Sequence, residues 1–279
     1  MKLIINLAPT GMVPTTTDNP AVPVETETIV ATCADCCEAG TSIVHIHARD
    51  ENQSPAWQSE RYREIVLGVR ARCPDTIVCV TTSGRTHGAF EQRSDVLNLD
   101  GLAKPDMASL TLGSLNFPKQ ASVNEPSMIR RLADKMNERG IVPELEVFDF
   151  GMLDYAKYLI EHRVLREPFY FNFLLGSLGT LGATPFHLAS LVMSLPAGAT
   201  WAAAGIGRFQ FAMNSLAIVT GGHVRVGLED SLFLDADKQR PATNRSLVDR
   251  LVRLAAAAER QVATPLEARE MIGLGPPPR

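Results

Sequence analysis

The sequence predicts a (β/α)8 barrel, or TIM barrel, and three observations carry the prediction. Eight short apolar runs alternate with helical stretches along 279 residues, the rhythm of parallel strands joined by crossover helices. No low-complexity linker interrupts that rhythm, so residues 1–279 read as one domain, with 271–279 as a loose proline-rich tail. The first run is followed by Ala8-Pro9-Thr10-Gly11-Met12, which lacks the Gly-x-Gly-x-x-Gly turn of an open dinucleotide-binding sheet.

In chain order, the strands are expected at Leu3 to Ala8, Ile43 to Arg49, Ile77 to Ser83, Met107 to Leu112, Val142 to Phe148, Phe169 to Leu175, Thr200 to Gly205 and His223 to Glu229. Each is a mainly hydrophobic run bounded by breakers, as expected of strands buried on both faces. Helical periodicity marks Glu25 to Ala39, Trp57 to Arg72, Glu125 to Arg139, Gly151 to His162, Pro185 to Leu195, Phe209 to Val219 and Asn244 to Val262.

Composition narrows the function classes. With 45% hydrophobic residues and a net charge of −4, the chain can fill a large core but offers no basic excess for nucleic acid. The opening Lys2-Leu3-Ile4-Ile5-Asn6 lacks the features of a signal peptide, and no run approaches the length of a membrane span. A soluble, cytoplasmic protein is expected. Of the five cysteines, Cys33, Cys36 and Cys37 cluster at helical spacing without the second Cys-x-x-Cys of a structural zinc site. They read as small core residues.

Chemistry concentrates on inward faces. Side chains alternate along a strand, so His45, His47 and Arg49 share one face and Val44, Ile46 and Ala48 the other. An unpaired buried polar group costs roughly 2 to 7 kcal/mol, so such a face must coordinate, pair or react. On the fifth strand Glu144 and Glu146 share a face, and two inward carboxylates call for an arginine or a metal. The eighth strand aligns His223, Arg225, Gly227 and Glu229. In a closed barrel the second and eighth strands both flank the first, so His45, His47 and Glu229 can converge. Two histidines and one glutamate leave a metal ion an open, catalytic position. Zn²⁺ suits these ligands, with Mn²⁺, Co²⁺ and Fe²⁺ as alternatives.

Asp230 is a candidate general base beside that site; the alternative is a cap for the following segment. Arg208, in the Gly-bearing loop after the seventh strand, is a candidate phosphate contact for a cofactor, though such loops are often only turns.

Beyond these positions the chain resembles the β-keto acid cleavage enzymes, typified by 3-keto-5-aminohexanoate cleavage enzyme. The resemblance runs nearly end to end, through Val44-His45-Ile46-His47-Ala48-Arg49, Lys104-Pro105-Asp106-Met107-Ala108-Ser109, Pro143-Glu144-Leu145-Glu146-Val147, Trp201-Ala202-Ala203-Ala204-Gly205-Ile206-Gly207-Arg208 and Thr220-Gly221-Gly222-His223-Val224-Arg225-Val226-Gly227-Leu228-Glu229-Asp230. It implies a zinc-dependent barrel, usually tetrameric, that converts a β-keto acid and acetyl-CoA into acetoacetate and a new acyl-CoA. By position it implies zinc on His45, His47 and Glu229, and Asp230 as base assisted by Arg225 and Glu146. Thr82, Ser83 and Gly84 would hold the substrate carboxylate, with Ser109 and Thr111 lining the pocket.

Two departures stand out. Met12-Val13 replaces the acidic residue that follows the first strand in the amino-substrate member, which argues against an ammonium-bearing substrate. Arg85 replaces a glycine, either adding a cation near the carboxylate pocket or pairing with an acidic neighbour. The competing reading is a metal-dependent hydrolase of the amidohydrolase type, which places His-x-His on the first strand and needs a lysine and further histidines on later ones.

Overall fold

The computed structural model describes residues 1–278. Eight parallel strands close into a barrel in chain order: β1 (Ile5–Leu7), β2 (Ile43–Ile46), β3 (Ile77–Val80), β4 (Met107–Thr111), β5 (Val142–Val147), β6 (Tyr170–Leu175), β7 (Thr200–Gly205) and β8 (His223–Val226). β1 closes the ring, pairing Asn6 with Arg225 of β8 and with Ile43 of β2.

The helices are α1 (Thr26–Ala39), α2 (Ser59–Arg72), α3 (Phe90–Ser94), α4 (Pro126–Arg139), α5 (Phe150–Glu161), α6 (Pro185–Met193), α7 (Gln210–Val219), α8 (Asn244–Ala257) and α9 (Pro265–Ile272). Local chemistry fixes their ends. Pro126 opens α4 and left-handed Gly140 closes it, while the hydroxyls of Thr243 and Ser246 cap the start of α8.

Parity divides the strands into two environments. Val44, Ile46, Val78, Val80, Leu110, Leu145, Phe171, Phe173, Val224 and Val226 belong to the large core shared with the helices. Cys33 and Cys36 of α1 lie in it too, as free thiols. A smaller cluster fills the base of the barrel with Ile4, Ile43, Ile77, Met107, Tyr170 and Ala202. Above that floor the barrel carries buried Asn6, His45, Glu144, Asn172 and Arg225.

The structure corrects several expectations. The second strand stops at Ile46, and Ala48–Arg49 pairs antiparallel with Pro55–Ala56. Arg49 therefore leaves the histidine face: its guanidinium donates to the carbonyls of Gln53 and Pro14, at 2.6 and 2.7 Å. The eighth strand stops at Val226 rather than running to Glu229.

Residues from 271 onward do not begin a loose tail. Met271 and Ile272 end α9, whose Ala268 and Ile272 pack into the basal cluster, with Leu274 against it. Arg279, the last residue of that predicted tail, lies outside the described residues. The short α3 and a hairpin pairing Leu115–Asn116 with Ala121–Ser122 are additions to the sequence-based expectation. No described helix is long and apolar enough to cross a membrane.

Candidate active site

Glu144, at the heart of the polar network, is fully buried. Its Oε1 accepts hydrogen bonds from Asn6 Nδ2 at 2.6 Å and Asn172 Nδ2 at 3.2 Å. Its Oε2 lies 2.6 Å from His45 Nδ1. Burial opposes a charge on His45, but Glu144 outweighs it and raises the ring's pKa. A carboxylate at Nδ1 holds a proton there, so that a metal displacing the second proton would find Nε2, the arrangement by which an outer carboxylate orients a metal-binding histidine. Burial disfavours the Glu144 charge, but His45 and Arg225 more than compensate and hold its pKa well below the usual range.

His47 follows β2, and its Nε2 lies 3.2 Å from Glu229 Oε1. His45, His47 and Glu229 offer ligand atoms within 4.8 Å of one another. Glu229 is set from below by Gly11: a Cβ there would stand 2.4 Å from Glu229 Cγ. Its Oε2 has no aligned hydrogen-bond donor, although Arg225 Nη2 is 3.0 Å away. A second possible metal group, His45, Cys79 and Glu144, is already satisfied internally. The Cys79 thiol points at Glu144 from 3.5 Å, and burial pushes its pKa far up, which disfavours a thiolate ligand.

Arg225, itself buried, gathers four carboxylates. Nε meets Asp230 Oδ2 at 3.0 Å, Nη2 meets Glu229 Oε2 at 3.0 Å, Nη1 meets Glu146 Oε1 at 3.4 Å, and Glu144 Oε2 stands 4.0 Å from Nη1. One guanidinium cannot neutralise four acids. Burial pushes the pKa values of Glu146 and Asp230 up despite the arginine, with Glu144 and Glu229 respectively adding repulsion. This excess negative charge and the unaligned Glu229 oxygen fit a divalent cation on His45, His47 and Glu229.

Asp230 reaches the site because the chain turns after β8. Gly227 at φ 154° passes so close to β1 that a Cβ would lie 1.9 Å from the Ala8 carbonyl oxygen. The amides of Asp230 and Ser231 then both donate back to the Gly227 carbonyl. Glu229 and Asp230 thus face Arg225 together, which regular alternation forbids. Asp230 caps no helix: α8 is capped by Thr243.

A cavity of about 270 Å³ opens above these groups. Its polar lining is His47, Thr81, Ser83, Arg85, Thr111, Ser122, Glu146, Ser177, Arg225, Glu229 and Asp230, under an apolar rim that includes Met12, Val13, Leu115, Phe117 and Phe148. Of the residues expected to contact substrate, Ser83 and Thr111 line it. Thr82, Gly84 and Ser109 do not. The Thr82 hydroxyl donates to the Ser109 carbonyl at 2.6 Å, and its amide donates to Ser109 Oγ at 3.2 Å. Gly84 accommodates Arg93, whose Nη1 would lie 2.7 Å from a Cβ.

The sequence marks Glu144 as an inward carboxylate in need of an arginine or a metal but assigns it no role in the site, and it gives Thr81 none. Parity was the available signal for both, since Thr81 alternates with Ser83 and Glu144 shares its face with Glu146. Arg208 lies outside the main cavity, on a shallower groove with Lys238 that shares Glu229 and Asp230 with it. The cavity contains no lysine, and His47 is its histidine, which does not match the hydrolase pattern.

The sequence model of the beta-keto acid cleavage enzymes matches residues 2–274. The chain belongs to this family. It is 39% identical over 274 residues to the 3-keto-5-aminohexanoate cleavage enzyme of Fusobacterium nucleatum subsp. nucleatum, covering 98% of both chains. It is 36% identical over 274 residues to the 3-oxoadipate:acetyl-CoA acetyltransferase of Cupriavidus necator, covering 97% of this chain and 94% of that one. Among solved structures, the ternary complex of ObcA with a C4-CoA adduct and oxalate superposes with a TM-score of 0.82. It is 23% identical, over 91% of this chain and 68% of that one, a likeness that supports the barrel fold. This member of the β-keto acid cleavage enzymes thus combines the family's sequence with one clustered set of acids and histidines.

Proposed function

We propose that the chain transfers an acyl group between a β-keto acid and acetyl-CoA, yielding acetoacetate and a new acyl-CoA. The observation that carries this reading is Asp230, clamped by Arg225 beside the His45, His47 and Glu229 donor set, in a cavity whose wall offers hydroxyls. Family membership supports it independently.

Asp230 is the base in this reading. Burial raises its pKa toward the operating range of a proton acceptor, and Arg225 fixes its orientation through two nitrogens. It takes a proton from the carbon between the two carbonyls of the keto acid. That carbon then attacks the thioester carbonyl of acetyl-CoA and expels the CoA thiolate. The thiolate attacks the original keto carbon, and carbon–carbon cleavage releases the new thioester and the acetoacetate carbanion, which takes back the proton held by Asp230.

A divalent ion on His45, His47 and Glu229, zinc in this proposal, would supply positive charge beside a substrate oxygen and ease the proton's removal. Arg225 keeps the crowded acids in place, and Glu146, bridging Thr111 Oγ1 at 2.7 Å and Arg225, steadies the wall of the cavity. Ser83 and Thr111 are placed to receive the substrate carboxylate, and Thr82, Gly84 and Ser109 support that wall from behind. Arg208 on the adjoining groove is the proposed contact for acetyl-CoA phosphates. A cytoplasmic homotetramer completes the proposal.

The test is incubation of metal-loaded protein with acetyl-CoA and a panel of β-keto acids, followed by mass spectrometry. Acetoacetate and a matching acyl-CoA are expected. Acetyl-CoA hydrolysis without acyl exchange for every panel member would sink the reading.

A further inference from the structure

Arg85 stands apart from the other charged residues of the cavity. It lies on the loop after β3, lines the main cavity, and stacks its guanidinium carbon 3.3 Å from the centre of the Phe117 ring. No carboxylate of a described residue lies within 4.0 Å of its nitrogens, and the guanidinium donates no hydrogen bond to a described residue. Arg225, by contrast, has its acids within reach at the floor. The three carboxylates lining the cavity, Glu146, Glu229 and Asp230, all pair with Arg225.

Burial lowers the Arg85 pKa, with Glu229 and Glu146 only partly offsetting it. The half-buried guanidinium has given up part of its hydration for the Phe117 ring face alone, with no hydrogen-bond acceptor among the described residues. Around it the rim is apolar, with Met12, Val13, Leu115 and Phe148. A planar, always charged donor fork held against an aromatic ring is suited to a carboxylate.

We infer that Arg85 is a specificity-determining residue that binds a second carboxylate at the far end of the substrate, making a β-keto diacid the preferred class. This rests on the acyl-transfer reading above. The first carboxylate goes to the Ser83 and Thr111 wall, the keto group to the floor, and the distal carboxylate to Arg85. An ammonium end would meet the arginine with no acid at the rim to balance it.

The experiment compares 3-oxoadipate with 3-oxohexanoate, of equal chain length but uncharged at the far end, in wild type and in Arg85→Gln. Acetyl-CoA is the co-substrate, and calorimetric binding of each keto acid is measured separately. Wild type should favour the diacid in kcat/KM by roughly ten- to hundredfold, the worth of a charge-assisted hydrogen-bonded pair. Arg85→Gln should erase the preference by weakening the diacid alone, with Arg85→Lys intermediate. Equal losses for both acids would assign Arg85 to the shared carboxylate and overturn the inference, as would a wild-type preference for the monoacid or an effect confined to the KM for acetyl-CoA.

If neither acid is turned over, binding decides. Diacid binding that Arg85→Gln removes would keep the assignment of Arg85, and the acyl-transfer reading would then stand or fall on the remaining members of the panel. Absence of diacid binding in wild type would end the assignment.

Discussion

Asp230 and His47 do different work although both touch the same cavity, and single substitutions should separate them. His47→Ala removes a donor atom, so bound metal and turnover should be lost together. Asp230→Asn keeps the shape and one of the two hydrogen bonds from Arg225 but removes the basic oxygen, so metal content should persist while kcat falls by about 10² to 10⁴. Metal analysis beside steady-state kinetics checks both, and metal loss in Asp230→Asn would recast that residue as a ligand.

A different histidine should add to the protein's sensitivity to acid. His223 is buried and its Nδ1 accepts a hydrogen bond from the Ile4 amide at 3.1 Å, a role that protonation at Nδ1 would abolish. Burial, with Arg260 and the N-terminus, lowers its pKa to about 3. The unfolded chain, with His near 6.5, binds this proton more readily, so stability is present above pH 6.5 and is lost as pH falls toward 3. The loss between pH 7 and 5 should be about 2 kcal/mol. Urea unfolding of His223→Asn should show a pH slope shallower by that amount, and identical slopes would contradict the assignment.

At the scale of elements, the site depends on how strands end. Alternation grouped His45 with His47 and Arg225 with Glu229, and each pair does meet at the site, although His47 and Glu229 lie just past the ends of β2 and β8. It failed for the neighbours of those pairs. The bend at Gly227 lets Glu229 and Asp230 share Arg225, and the early end of β2 sends Arg49 to Gln53 and Pro14 instead of the metal face. Neither bend follows from residue pattern, since each is imposed by a neighbouring loop or strand.

The position of Glu144 at the bottom of the network, rather than beside Glu146 in the cavity, likewise needed the barrel's depth. α9 carries a legible start signal outside the eight-strand rhythm: Thr264 and Glu267 form a capping box with Pro265 at the first turn. Gly11 tests the loop after β1. Gly11→Ala should drive Glu229 off its position and weaken metal binding by about tenfold or more, while thermal unfolding of the metal-free protein shifts little. Unchanged affinity would show that Glu229 relaxes freely.

At the scale of the molecule, the barrel supplies a rigid floor and leaves an apolar exterior to be accounted for. Leu178, Phe186 and Met193, on α6 and the loop before it, are 74%, 73% and 87% exposed. Such side chains favour burial between copies, and for the proposed homotetramer light scattering should return a mass about four times the 30.3 kDa of one chain.

The central claim is that the acetyl carbonyl of acetyl-CoA joins the keto acid's methylene carbon before the original acyl group departs on CoA. Acetyl-CoA labelled with ¹³C at the carbonyl, incubated with the preferred β-keto acid and followed by NMR, tests it directly. The label should appear at the keto carbon of acetoacetate, with none in the new acyl-CoA. Label recovered as free acetate, with acetoacetate unlabelled, would contradict the account.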